Sequence, residues 1–363
     1  MADYTVAAIN NVTATPGEIS CDDHWDIAMN KVDSMLYGPS EIVFITVVLP
    51  VIVLAGIVST LAFMFVVIRS ARMRTQINVY LFNLAIADVV LLAIALGLLV
   101  TSYVTSPVKS DASYIDATMC LVAVFTSDVT YYVSLCLITC VTVNKYCAIC
   151  RPLQTMKSSL KKQTIMLTVC SWVAAILFSA CATPYSYFGD TTCLTWPKGE
   201  EFSHLPSEIT LCYPDVYYAF FGVQAIPFFV ALIVNTALFV RIVRVLRTSI
   251  RGLRYHGSGR DRSNHRVTRM LMVNGVLFFL LLAPFETLTF SWTNRGKSEV
   301  DMSRDSGRME EVSRVFMALV YVNSVINPIV YTMMSRRYRQ AFRETLWFRR
   351  VAARKNDSFR SQT

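Results

Sequence analysis

The chain is predicted to be an all-α membrane protein: a seven-transmembrane helix bundle with a short amphipathic eighth helix. Three observations predict it. Of its 363 residues, 54% are hydrophobic and 16% charged, and the mean hydropathy is +0.45, too apolar for a water-soluble chain of this length. The apolar residues fall in seven runs, at 41–69, 77–103, 117–150, 164–184, 213–246, 266–292 and 312–334, each longer than the roughly 20 residues that cross a hydrocarbon core as a helix. Basic residues, finally, gather in alternate loops. The expected organisation is an N-terminal segment over 1–40, a membrane domain over 41–334, and an amphipathic helix with a tail over 335–363.

The first 40 residues are polar and acidic, with no basic stretch leading into a short apolar one. No cleavable signal peptide is expected, and the first run should insert uncleaved. Asn11-Val12-Thr13 is a glycosylation sequon, usable on the outer side of a membrane; Asn356-Asp357-Ser358 is a second, placed in the tail.

Orientation follows from lysine and arginine. Arg69, Arg72 and Arg74 follow the first run; Arg151, Lys157, Lys161 and Lys162 follow the third. Nine arginines lie between Arg241 and Arg269, and the tail after Met334 is rich in them. Loops on the other face carry acids instead: Asp22, Asp23, Asp26, Asp111, Asp116, Glu200 and Glu201. The expectation is a multi-pass plasma-membrane protein, N-terminus extracellular and C-terminus cytoplasmic. The net charge of +9 is then a topology signal, and nucleic acid need not be invoked.

No repeat of 20 to 50 residues and no matching pair of interrupted helices is present, which disfavours a transporter built on internal symmetry. Enzymatic chemistry has no support either. There is no phosphate-cradling glycine loop and no His-Glu-x-x-His, and His24, His204, His256 and His265 all lie outside the apolar runs.

The ten cysteines divide by location. Cys136, Cys140, Cys147, Cys150, Cys170 and Cys181 sit in or at the ends of apolar helices, where a thiol packs as a small hydrophobe. Cys147-Ala148-Ile149-Cys150 has metal-ligand spacing but no neighbouring Cys or His to complete a site. Cys21, Cys120, Cys193 and Cys212 face the oxidising exterior, where disulfides persist. The leading pair is Cys120, opening the third helix, with Cys193 in the loop after the fourth. A second pair, Cys21 with Cys212, is arithmetically available, and sequence alone does not fix connectivity.

Polar residues inside the runs need a reason. Asp88 lies mid-helix, where a carboxylate costs about 2.5 to 3.5 kcal/mol on the insertion scale. Ser134 on the third helix and Asn323, Ser324 and Asn327 on the seventh can supply oxygens and donors if the helices converge. One carboxylate among neutral oxygens suits a sodium ion or a proton. It equally suits a hydrogen-bonded plug that fixes helix packing.

The sequence resembles the rhodopsin-like (class A) G-protein-coupled receptors over nearly its whole length. The resemblance rests on Asn83-Leu84-Ala85-Ile86-Ala87-Asp88 in helix two, Cys120 opening helix three, Trp172 in helix four and Pro227 in helix five. To these are added Phe278 and Pro284 in helix six, Asn327-Pro328-Ile329-Val330-Tyr331 in helix seven, and the amphipathic segment 336–347. It implies an extracellular ligand, a rearrangement of helices five to seven, and activation of heterotrimeric G proteins. It also puts Asp88, Ser134, Asn323 and Asn327 on the family's sodium-site positions.

Departures accompany the matches. The family's Asp-Arg-Tyr reads Asn144-Lys145-Tyr146, so the acid is gone and a lysine without the planar guanidinium fork replaces the arginine. The aromatic toggle before Pro284 is Leu282, the inward tyrosine of helix five is Asn235, and the helix-one asparagine is Thr60. Altered basal activity is one expectation and a non-signalling receptor another; Phe278, Pro284, Pro328 and Tyr331 favour a working switch. Tyr331 is expected to face the cytosolic cavity beside Lys145.

For the ligand, the position where amine receptors carry an aspartate reads Ser127, with Asp128 about 100° further round the helix. Asp128 and Glu286, with Tyr131, Gln224 and Trp292, outline an acidic, aromatic cavity suited to a cationic group. Either acid can instead pair internally or face a water-filled crevice. The loop 185–213 carries Cys193-Leu194-Thr195-Trp196-Pro197, which resembles somatostatin, galanin and allatostatin type receptors, so a neuropeptide is the expected ligand. An amine or lipid ligand is the alternative.

On the basic face, 241–269 and 336–350 can meet acidic partners, anionic lipid headgroups, or both. Residues 336–347 alternate basic side chains with Tyr338, Phe342, Leu346 and Trp347, as in an interfacial helix. No cysteine follows them, so no thioester anchor in the tail is expected. Ser358, Ser361 and Thr363 are candidate phosphorylation sites through which a receptor kinase and arrestin would act.

The orientation has a direct check. An epitope fused before Met1 should stain on intact cells, and one after Thr363 only after permeabilisation; the reverse pattern would invert the topology.

Overall fold

The computed structural model describes residues 23–29, 32–109, 111–151, 160–182, 188–213, 218–252, 259–295 and 302–345. Seven helices long and apolar enough to cross a membrane run through it. α1 spans Pro39–Arg69, with a π-helical stretch at Phe44–Val48. It is followed by α2 (Gln76–Thr105), α3 (Ala117–Cys150) and α4 (Leu160–Ala182). Then come α5 (Tyr218–Gly252), α6 (Gly259–Arg295) and α7 (Met302–Met334). After Ser335, residues 336–345 form a further helix, α8; Leu346 and Trp347 lie outside the described residues.

The helices outrun the apolar runs where polar sequence continues a helical period. α4 begins at Leu160 rather than at 164, α6 runs over Gly259–Arg295, and α7 starts at Met302. Hydropathy marks only the lipid-facing part, whereas backbone hydrogen bonding continues into water. The run at 213–246 is the one misplaced start, because Tyr213 ends a strand and α5 begins at Tyr218.

Burial follows the logic of a membrane solvent. Large apolar side chains such as Val51, Leu54, Val58 and Leu61 on α1 are exposed, as suits a surface bathed in lipid tails. Polar side chains such as Thr60, Asp88, Asn235, Asn274, Asn323 and Asn327 are buried, because hydrocarbon offers them no partners. Two glycines set helix spacing. A Cβ on Gly56 would meet Val325 Cγ2 at 2.5 Å, and one on Gly275 would meet Phe239 Cζ at 2.7 Å. Helix backbones approach a neighbouring side chain closely there, as is common in membrane bundles.

One end of the bundle carries a small sheet that the all-α reading did not foresee. β1 (Asp23–Asp26) pairs parallel with β2 (Phe188–Thr195), which pairs antiparallel with β3 (Glu208–Tyr213). Beneath it Ile27, Val32, Val108, Leu194 and Ile209 form a separate apolar cluster. Trp196 packs against the cluster and donates its indole N–H to Pro206 O at 2.8 Å. Leu36 bridges to Val108, and the Lys109 N–H donates to Met35 O at 2.8 Å. The chain before α1 is thus stitched to the loop after α2 and to the hairpin.

At the same end Glu41 is buried between two cations. Its Oε1 lies 3.0 Å from Lys109 Nζ and 2.7 Å from Arg314 Nη2. Its Oε2 accepts the Gly38 N–H at 2.6 Å. One carboxylate therefore joins the start of α1, the loop after α2 and the sheet end of α7. Removing one partner from a buried ion pair is costly because the other charges stay desolvated.

Glu41→Gln should lower the melting temperature of the purified protein. In a double-mutant cycle with Arg314→Met the two changes should couple by about 1 to 3 kcal/mol; strict additivity would show that the contact carries no energy.

Candidate functional site

The polar residues of the bundle interior form three levels, at the sheet end, the middle and the basic end. At the sheet end, Tyr131 on α3 donates its hydroxyl to Glu286 Oε1 on α6 at 2.6 Å. Glu286 is only 5% exposed. Asp128 lies one turn from Tyr131 on α3, within electrostatic range of both Tyr131 and Glu286. The Ser127 hydroxyl turns to its own helix, donating to Ala123 O at 2.9 Å. The helical period separates the two neighbours, leaving Asp128 as the acid oriented toward α6. Tyr131 stands edge-on to Tyr132, which stands edge-on to Phe178 of α4 (ring centroids 5.0 and 4.7 Å apart).

Leu282, one turn below Glu286, is buried among aromatic rings rather than being one. Phe278 and Phe279 meet edge-on at 5.3 Å, and Phe279 lies 5.7 Å from Phe228 of α5. Pro284 interrupts the α6 ladder between these levels, since its nitrogen donates nothing. Gln224 and Trp292 lie on α5 and α6, with their side chains outside the described residues.

In the middle, Asn327 Nδ2 on α7 donates to Asp88 Oδ2 on α2 at 2.8 Å, and Ser324 adjoins the same carboxylate. Ser134 spends its proton on Thr130 O of its own helix at 2.8 Å, which leaves its oxygen as an acceptor. Asn323 Oδ1 is buried with no hydrogen-bond partner. Asp88, Ser134 and Asn323 are all buried, and a carboxylate, a hydroxyl oxygen and an unpartnered amide oxygen are the oxygen types that hard cations take. Trp172 Nε1 reaches Asn83 Oδ1 at 3.0 Å and ties α4 to α2.

At the basic end Tyr331 departs from its expected place. It is 1% exposed and packs with tilted rings against Phe63 of α1 (5.3 Å) and Tyr338 of α8 (5.8 Å), which stack on each other. Its hydroxyl makes no hydrogen bond, although Asn274 of α6 is its polar neighbour. Aromatic burial therefore holds the ring against α1 and α8 instead of leaving it open to a cavity at the basic end. Tyr338 donates its hydroxyl to Asn78 Oδ1, and Asn78 Nδ2 donates to Met73 O at 2.5 Å. Burial pushes the Tyr338 phenol above the ordinary tyrosine range, against the opposing effect of Arg337, so it stays a donor. Arg337 also bonds Arg72 O, and Arg72 pairs with Glu344 at 3.3 Å. Helix α8 is thus clamped to the loop before α2.

Around Asn144-Lys145-Tyr146, Arg241 of α5 donates to the Tyr146 hydroxyl at 3.5 Å, and the Arg151 guanidinium sits 5.9 Å from the Tyr146 ring centre. Arg337 is the charge that acts on Lys145, and no carboxylate pairs with it among the described residues. Asn144 instead adjoins the buried Tyr80. Asn235 reaches from α5 to Thr139 Oγ1 at 2.9 Å. Cys120 and Cys193 are both disulfide-bonded, while the six cysteines of the apolar helices are thiols. Asn11 and Cys21 lie outside the described residues, as does the Cys212 side chain.

The structure is thus a seven-helix membrane bundle with a buried polar interior and two chemically different ends. The chain matches the 7 transmembrane receptor (rhodopsin family) profile over residues 59–331, well over half its length, and belongs to that family. It is accordingly a multi-pass membrane receptor and not an enzyme.

Several structurally consequential residues carried no motif. Glu41, Lys109 and Arg314 lie far apart in sequence, and only the placement of Glu41 at the start of an apolar run hinted at a buried partner. Asn78 was not singled out in the sequence, and Tyr338 was read as one apolar position of an amphipathic segment. The signal for both was the polar tip on a side chain that the helical period buries.

Tyr338→Phe keeps the ring and loses the bond to Asn78, so it should cost about 1 to 2 kcal/mol. Tyr338→Ala also empties the stack and should cost about 3 to 5 kcal/mol. Equal melting temperatures for the two variants would remove the hydroxyl bond from the clamp.

Proposed function

We propose that this receptor binds a peptide at its sheet end and activates heterotrimeric G proteins at its basic end, with the N-terminus outside the cell and the C-terminus in the cytosol. The observation that carries the reading is the convergence of Asp128, Tyr131 and Glu286 between α3 and α6. Two acids beside a phenol, Glu286 buried and Asp128 half-buried, favour a basic side chain or a terminal amine, since opposite charges attract more strongly where water is excluded. The hairpin above them, with Trp196 and the disulfide-bonded Cys193, supplies a surface long enough for more than a small amine. Pairing of Cys193 with Cys120 would hold that hairpin over α3.

The mechanism follows from what the ligand would disturb. A cation drawn to Glu286 competes with the Tyr131 hydroxyl, and α6 turns about the Pro284 interruption. Leu282 and Phe278 then repack against Phe228 and Phe279. At the basic end, α6 leaves Phe239, Tyr331 exchanges its stack for the polar neighbour Asn274, and Lys145 becomes the cation offered to the G protein. Binding energy spent at one end appears at the other only as the difference in affinity for the two arrangements, typically 1 to 3 kcal/mol.

Asp88, Ser134, Asn323 and Asn327 would hold a sodium ion that favours the resting arrangement; the orphaned Asn323 oxygen supports this over a closed polar plug. The basic residues of α5, α6 and α8 suit anionic lipid headgroups as well as the G protein. A receptor kinase and arrestin would act on the tail, and a glycan on Asn11.

The test is a screen of amidated and unmodified neuropeptides on cells expressing the chain, read with several G-protein sensors. For an active basic peptide, Asp128→Asn and Glu286→Gln should each weaken potency at least about tenfold, equivalent to about 1.4 kcal/mol. Unchanged potency in both rejects the cationic-pocket reading, and activation by small amines alone would replace the peptide with an amine.

A further inference from the structure

The two edges of the β2–β3 hairpin are covered in different ways. Next to β3, the loop after α2 is built in: Ala112 N–H donates to Thr210 O at 2.7 Å, and Thr210 N–H donates to Asp111 Oδ1 at 3.3 Å. Asp111 is buried, takes the Ser113 N–H on the same oxygen at 2.9 Å, and accepts the Ser102 hydroxyl on its carbonyl at 2.9 Å. That cover is part of the fold.

Next to β2 the cover is β1, four residues in parallel register from Asp23 opposite Thr192 to Asp26 opposite Thr195. Ile27 extends it, donating its N–H to Thr195 O at 2.9 Å. Backbone groups alternate along a strand, so Trp25 and Asp23 face β2 as Ile27 does. On β2, Thr195 and Cys193 face β1, while the Leu194 N–H points the other way, to Ser207 O at 2.7 Å. A four-residue parallel strand is short, and parallel pairing is the weaker kind per residue. Among the described residues its anchors lie downstream, where Ile27 and Val32 enter the apolar cluster and Leu36 bridges to Val108. Release of residues 23–26 from β2 would leave these anchors in place.

We propose that the β2 edge is a docking edge for an extended peptide backbone, and that Asp23–Asp26 is its exchangeable resident strand. The proposal rests on the peptide-ligand reading and names where the peptide backbone pairs. Exchange replaces one set of main-chain hydrogen bonds with a like set, the economy of strand addition. A bare edge would invite non-specific pairing; the tethered strand covers it, and its high effective concentration makes it a built-in competitor.

The experiment is residue-resolved hydrogen exchange on the full chain in lipid nanodiscs. Trp25→Pro deletes the N–H that faces β2, and Trp25→Ala controls for the lost side chain. Trp25→Pro should speed exchange at the Cys193 and Thr195 amides at least tenfold and leave Leu194 unchanged. A synthetic peptide of residues 22–28, added at millimolar concentration, should restore the protection, and a scrambled peptide should not. Unchanged exchange at Cys193 and Thr195, or loss that the peptide does not restore, overturns the proposal. As a second arm, Asp26→Cys with Thr195→Cys, joined as a disulfide, locks β1 in place. Labelled 22–28 peptide should bind the Trp25→Pro receptor and not the locked one; binding to both or to neither overturns the proposal. No agonist enters this assay, so its failure is separate from failure of the pocket reading, which the Asp128 and Glu286 variants decide.

Discussion

The hydrogen bond between Asp88 and Asn327 is the contact around which the interior is arranged. In hydrocarbon a carboxylate has no solvent to fall back on, and its partners must come from other helices. That requirement brings α2 and α7 together at mid-depth. The same helices meet α1 where Gly56 lets Val325 and Leu92 approach its backbone. Around this knot the apolar side chains are interchangeable in kind, facing lipid or one another; the polar ones fix which helix faces which.

Polar pairing is uneven within the bundle. Glu41 lies between two cations and Tyr131 bonds Glu286 at the sheet end, and Tyr338 bonds Asn78 at the basic end. Among them lie buried atoms without a hydrogen bond: Arg314 Nε, the hydroxyls of Tyr80 and Tyr331, and the amide oxygens of Asn235, Asn274 and Asn323. Unmet buried groups cost free energy in the arrangement that leaves them unmet. They lower the cost of a second arrangement in which they are met.

The seven helices were legible because hydropathy is a property of each run by itself, and the motif residues were legible because each sits at a fixed place on a run. Asp88 and Asn327 could be paired in advance, since a carboxylate in hydrocarbon demands an amide or hydroxyl and few were on offer. Tyr331 was misplaced because its surroundings are aromatic rings from α1 and α8, and nothing in its own helix states where Phe63 and Tyr338 lie. The sheet was illegible for a related reason. Asp23–Asp26 has no alternating apolar pattern and pairs with residues far along the chain, so only the folded loops reveal it as a strand. Glu41 was read as a boundary residue because its counter-charges come from a loop and from the last helix.

The Glu41 cluster bears on how the chain is made. Synthesis is vectorial, and α1 enters the membrane carrying a carboxylate whose counter-charges do not yet exist. Lys109 arrives with the loop after α2, but Arg314 is supplied only by the final helix. Until then the sheet end of α1 holds an ion pair one cation short of its finished form. Closing it joins the first helix to the last, so a completed cluster reports that all seven helices have been inserted and in the right order.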